Sequence, residues 1–346
     1  ASVSAEEIGN TWLNYLSRER GAIWRGGYGV SSEHTAFLNL LNGIPAPQSG
    51  SAVFNGPTIS EQIGGQIFSD IWGLVYPNQP ELAADLSEKA ASISHDGEGI
   101  NGARFVAALS SAAFSEPDPK ALIHTALGTI PGDSEYARVT HAMLDWHARY
   151  PDDWRSARDE IGREWGYNRY PGVVPIIPNA AIIVLSLLYG QGEFDRTIQI
   201  ANMCGWDTDC NVGNVGGVMG VAVGIEGIAD HWRPPLNDSV VSASVAGVRN
   251  IADITNTAHY LVRAGRILAG EAPEEEFPRF NFDFPGTSHG LLTERTRCRV
   301  AMLQQTTEFA YCGRGSLRIA IDRLNRKGEL KVYQRTHYHV DELTSN

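Results

Sequence analysis

Between Pro178 and Gly190 the chain reads PNAAIIVLSLLYG. No spacing of polar residues gives this segment a wet face, so it fits a helix that is hydrophobic on nearly all sides. A helix of that kind must be buried. Its apolar run, Ala180–Leu188, is far short of the roughly 20 residues needed to span a bilayer. What surrounds it is therefore protein, and from residue 5 to about residue 270 the flanking pattern is helical too. EEIGNTWLNYLSRER sets Ile8, Trp12, Leu13 and Leu16 on one helical stripe. PELAADLSEKAASIS, NGARFVAALSSAAF, SEYARVTHAMLDWHARY and PDDWRSARDEIGREW each open on Pro, Asn or Ser, as helix starts do. SVVSASVAGVRNIADITNTAHYLVRAGRILAG extends the series, and clusters such as GIPAPQSGSAVFNGP and GYNRYPGVVPIIP separate its members. Residues 1–272 read as a mainly α domain.

The pattern changes at the charged, proline-bearing run EAPEEEFPRF, which reads as a linker. Beyond it FNFDF, TRCRVAML, SLRIAID and LKVYQRTHYHV favour strands, with turns at GRGS and NRKGE. Residues 280–346 are expected to form a small β-sandwich. With four or five strands, and a stop soon after a strand at His337–Val340, that sandwich is expected to be incomplete.

With 346 residues, 42% of them hydrophobic, the chain has enough apolar material for a large core. A net charge of -12 argues against a nucleic-acid backbone or an anionic membrane as the main partner. It leaves room for a small anionic ligand in a local site. Four cysteines show no metal-binding spacing, so reduced thiols and a cytoplasmic location are expected.

One stretch resists a packing explanation. GWDTDCNVGNVGGVMG, Gly205–Gly220, puts Asp207 and Asp209 ahead of a glycine-rich helix. Helix capping is the plain reading, because an Asp side chain accepts orphan backbone N–H groups. A calcium loop fails: its sixth and twelfth positions need Gly and Glu, and here hold Val212 and Val218. The glycines, at four-residue intervals, each cost about 1 kcal/mol of helix propensity, which close packing against another backbone would offset. A helix so sunk carries its acidic tip inward, and adjacent buried carboxylates need cations. Divalent metal ions with oxygen ligands answer that need.

The stretch resembles the C-terminal acidic motif of the ADP-ribosylglycohydrolases, an all-α family of orthogonally packed helices related to dinitrogenase-reductase-activating glycohydrolase and to certain crystallins. NGPTISEQIGGQIFSDIWGLVYP, SISHDGEGINGARFVAA and PNAAIIVLSLLYGQGEFDRTIQIANMCGWDTD resemble further family segments, in the family's order. The resemblance implies a site for two Mg²⁺ or Mn²⁺ ions that grips the ribose next to the scissile bond of an ADP-ribosylated protein or a smaller ribosyl substrate. Asp207 and Asp209 match its metal-binding aspartates and catalytic centre. Cys210 stands where many members have Thr or Ser, and a thiol is a poor ligand for magnesium. Gly64 and Gly65 match a diphosphate-binding loop, and His95 a ligand-side histidine. Each also has a bland reading, close helix packing for the glycines and a helix end for the histidine. Asn179 reads as a cap for the buried helix. Trp24, Trp72 and Trp206 are candidates for stacking on adenine or for the core, and Trp206, beside Asp207, is the best of them.

The family's second acidic cluster, a Thr-Asp-Asp motif, is not found, and the first aspartate is Asp70. Two carboxylates seldom hold two divalent ions alone. The expectation is half a site, with Asp207 and Asp209 on an open groove that a separate N-terminal chain or segment completes. Two alternatives stay open: a non-catalytic member that binds a nucleotide or serves structurally, and a glycosidase for another sugar.

Overall fold

The structure is a computed structural model that describes residues 3–18, 23–242, 250–272 and 278–338. It divides into two compact units, one containing residues 23–228 and the other beginning at Ala229. The sequence reading puts this boundary near residue 272. Helix Ile254–Leu268 instead belongs to the second unit.

The first unit is helical throughout. Its centre is Ile176–Gly190, in which every residue is buried, as its lack of a polar face requires. Truncating one of its large side chains, Leu185→Ala for example, removes about 2–5 kcal/mol of stability. Glu98–Ala112, with Phe105, Val106 and Leu109 fully buried, packs on Pro80–Ala91 and forms the second core element. Local signals set the helix starts. Ser4 and Glu7 close a reciprocal capping box, and Ser31, Asp118, Ser134 and Asp153 each accept a first-turn amide.

Helix Thr208–Val223 packs differently from the sequence expectation. Its buried face is Asn211, Asn214, Val215, Val218 and Met219, while Gly213 is exposed and Gly216, Gly217 and Gly220 are half-buried. The glycines make room for side chains rather than for a second backbone. A Cβ on Gly213 or Gly216 would sit 3.3 or 3.2 Å from the Cδ1 of Ile67 or Ile198, and one on Gly217 3.0 Å from Asp70 Oδ2.

In the second unit β1 (Ser239–Val241) pairs antiparallel with β2 (Ile251–Asp253), where the sequence pattern suggests helix. Residues 243–249 of that stretch lie outside the described residues. Asp253 then caps helix Ile254–Leu268. In place of a sandwich, the described part of 280–346 forms one long antiparallel ribbon, β3 (Leu292–Thr306) with β4 (Ser316–Tyr333). GRGS ends its connection, with Ser316 opening β4. NRKGE, read as a turn, becomes a bulge with Glu329 in the ladder: Thr296 faces Glu329 and Cys298 faces Leu324, so residues 325–328 oppose Arg297 alone. FNFDF forms no strand, residues 273–277 of the linker fall outside the described residues, and so does the end of the strand expected at His337–Val340.

Asp238, Asp253 and His289 cluster tightly in this unit, and their polar atoms are engaged. Asp238 accepts from the amides of Thr255, Ser288 and His289, His289 Nδ1 lies 3.2 Å from Asp253, and His289 Nε2 meets the backbone of Asn281. Hydrogen bonding accounts for this cluster without an ion. No described helix is long and apolar enough to cross a membrane.

Candidate active site

Gly205 and Trp206 both adopt left-handed backbone, φ 74° and 62°, which is unusual for a tryptophan. This double turn delivers the chain to Asp207 at the N-cap of Thr208–Val223. Asp207 makes no side-chain cap bond. The plain capping explanation therefore does not hold. Its carboxylate instead takes a hydrogen bond from the Cys210 thiol and faces Asp209. Ligand atoms of Asp207, Asp209 and Cys210 lie within 4.8 Å of one another.

These three residues line a cavity of about 420 Å³ with Trp24, Glu33, Gln62, Ile63, Gly64, Ile67 and Val174. Asp207 is half-buried and Asp209 exposed. Burial raises the Asp207 pKa, and the neighbouring Asp209 charge adds to the rise against the opposing Cys210 bond. Burial and then Asp207 push the Cys210 thiol far up, so it stays protonated. No lysine or arginine is among the lining residues, and neither aspartate forms an ion pair among the described residues. Two hard carboxylates on one cavity suit a divalent cation such as Mg²⁺ or Mn²⁺. The soft sulfur of Cys210 does not.

Sequence reasoning missed Glu33. It sits in the first turn of Ser32–Leu41, accepts from Ser31 Oγ at 3.1 Å and lies 3.8 Å from His95 Nε2. It gives the cavity a third carboxylate. Gly64 also lines the cavity, and the atom its missing Cβ would strike first is Glu33 Oε1. Gly65 lies behind the wall, where its amide donates to His95 Nε2 at 3.1 Å and a Cβ would come within 2.8 Å of the Gly99 carbonyl oxygen. His95 is wholly buried, with Nδ1 2.8 Å from Ser94 Oγ, and burial holds its pKa down against the pull of Glu33. As a neutral ring it accepts from Gly65 and does not line the cavity. Trp206 is taken up within the protein: Tyr167 stacks on it at 5.0 Å and the Arg158 guanidinium lies 3.8 Å from its ring centre. Trp24, 46% exposed, is the tryptophan that lines the cavity. Asn179 lies inside Ile176–Gly190 and is not its cap.

The chain belongs to the ADP-ribosylglycohydrolase family, whose model matches residues 2–266. Membership supports a glycohydrolase function. No curated protein sequence matches the chain.

Proposed function

We propose that this chain is a metal-dependent hydrolase that cleaves the glycosidic bond of an ADP-ribosyl or related ribosyl substrate. The observation that carries the reading is the Asp207 carboxylate, free of any capping bond and facing, with Asp209 and Glu33, a cavity without a lining cation. Asp207 and Asp209 would hold Mg²⁺ or Mn²⁺, two ions on the family pattern, with Glu33 as a further donor. Such ions, when bound, polarise the ribose hydroxyls and offset the charge of the departing group.

The remaining work falls to the chain's own groups. Asp209, the exposed carboxylate, accepts a proton from the attacking water. Trp24, Ile63 and Val174 keep water from the other sides of the sugar, and Gly64 offers its backbone to the ligand. Gly65, His95 and Trp206 support this wall and the acidic tip from behind. The cysteine spacing, which follows neither a disulfide-scaffold nor a metal-binding pattern, favours a reducing compartment, and the cytoplasm is the proposed location.

Release of ADP-ribose from peptides modified on Arg or Ser, with Mg²⁺ or Mn²⁺ present, tests the assignment. Asp207→Ala and Asp209→Ala are expected to abolish it. Release unchanged in both variants would reject the site. ADP-ribose binding without release would favour a non-catalytic member, the reading that Cys210, held on Asp207 in place of a hydroxyl ligand, supports.

A further inference from the structure

The acidic tip is not held by its own helix alone. Asn179, wholly buried, uses both ends of its amide. Its Nδ2 donates to the Pro175 carbonyl at 2.9 Å and to the Tyr167 hydroxyl at 2.8 Å. Its Oδ1 accepts from Asn211 Nδ2 at 2.9 Å and from the Asp207 amide at 3.3 Å. The orientation of the amide is fixed, because a carbonyl oxygen facing Pro175 would meet another acceptor. Oδ1 therefore faces the tip.

Asp207 and Asn211 are one helical turn apart and share a face. Anchoring both on a single oxygen fixes the tilt of the first turn as well as its position. Tyr167 ties the same amide to the double turn that precedes Asp207, since its ring stacks on Trp206 with an interplanar angle of 22°. Arg158, on the same indole, donates through Nε to the Cys204 carbonyl at 2.8 Å. The approach to Asp207 is thus braced on both sides in sequence, and Asn179 joins the two braces.

We propose that Asn179 is a positioning residue that sets the direction from which Asp207 and Asp209 meet a divalent cation; this rests on the metal-dependent reading above. Hydrogen-bonding partners of metal-binding groups typically change affinity roughly 10–100-fold when removed. A buried amide that served packing alone would alter stability and leave the ion affinity of the folded protein unchanged.

Mn²⁺ titration of the full chain, followed by the electron paramagnetic resonance of free Mn²⁺, separates these roles, with near-ultraviolet circular dichroism reporting the fold. Asn179→Ala deletes the brace. Asn179→Asp keeps its shape but turns an oxygen toward Pro175. Both are expected to bind Mn²⁺ roughly 10–100-fold more weakly than wild type while the dichroism is retained. Wild-type affinity in either folded variant would overturn the proposal. If neither folds, Tyr167→Phe, which leaves the ring on Trp206, decides: Mn²⁺ binding weakened about threefold or more supports the brace, and unchanged binding overturns it. Failure of the wild-type chain to bind Mn²⁺ would remove the metal reading itself, and this role with it.

Discussion

Asn214 Nδ2 donates to Asp70 Oδ1 at 2.7 Å, and Gly217 on the same helix leaves space for Oδ2. Burial pushes the Asp70 carboxyl up to about 7, against the opposing bonds from Asn214 and from its own backbone. Between the ordinary carboxylate value of about 3.9 and this raised value, the folded chain holds a proton that the unfolded chain has lost. Stability from this group is therefore full below about pH 4 and falls as pH climbs toward 7. Asp70→Asn keeps the acceptor for Asn214 and removes the titration. It is expected to stabilise the protein by about 4 kcal/mol at pH 8, with the gain shrinking toward pH 4. Urea unfolding at both pH values checks this; an equal gain at both would show that Asp70 holds no buried proton.

In the second unit, His289 Nδ1 lies 3.2 Å from Asp253 Oδ1. Burial alone would lower the His289 pKa, but the Asp253 bond and the Asn281 backbone outweigh it and raise it. Burial would likewise raise Asp253, but His289 and the two Asn256 bonds bring it below its ordinary value. A raised histidine contributes fully below about pH 6.5 and loses its contribution as pH rises through the folded value. A lowered aspartate contributes above about pH 3.9 and loses its contribution as pH falls through the folded value. The unit should be firmest between about pH 4 and 6.5. Hydrogen-exchange protection of helix Ile254–Leu268 should drop between pH 6 and 8. His289→Gln should flatten that drop at a cost of about 1 kcal/mol, the size of one hydrogen bond lost. A drop that persists in the variant would place its origin elsewhere.

Gly64→Ala tests why a glycine lines the cavity. Its Cβ would collide with Glu33 Oε1 and come within 2.9 Å of the His95 ring, and overpacking of this kind costs about 1–3 kcal/mol. Pairing it with Glu33→Ala removes one of the two obstructions. The double variant should recover part of the lost melting temperature relative to the sum of the single changes. Strict additivity would mean that Glu33 does not crowd this glycine. A phosphate-binding role alone predicts no such coupling.

The sequence was most informative where a signal and its cause lie close together. Ile176–Gly190 is buried because no periodicity offers it a wet face, and the Ser4–Glu7 box sets a helix start from four residues. Asp207 and Asp209 stood out because carboxylates ahead of a glycine-rich helix need a reason. What stayed hidden depends on partners distant in the chain. Gly64 is explained by Glu33 and Gly65 by His95 and Gly99, which no local pattern couples to them. Asn179 looked like a local cap, whereas its Oδ1 serves a helix that begins after Trp206. NRKG carries the chemistry of a turn, but long pairing on both sides absorbs it as a bulge. In SVVSASVAGVRNIADITN, β-branched residues pair as β1 and β2 before Asp253 starts the helix, so one apparent helix is two strands and a shorter one.

Glu33 is the residue on which the chemistry of the cavity now turns. Its carboxylate accepts from Ser31 Oγ and lines the same space as Asp207 and Asp209. Glu33→Gln keeps an oxygen for Ser31 and nearly the same volume, so the first turn of Ser32–Leu41 should hold its shape. What changes is one negative charge. If Glu33 is a donor, calorimetric titration of the variant should show Mn²⁺ affinity reduced about tenfold or more, with the melting temperature almost unchanged. A general loss of negative field, without direct ligation, would be screened by salt. The loss should therefore persist at high ionic strength. Affinity equal to wild type, or a loss that disappears in salt, would return Glu33 to the role of a wall residue and leave Asp207 and Asp209 as the metal donors on this cavity.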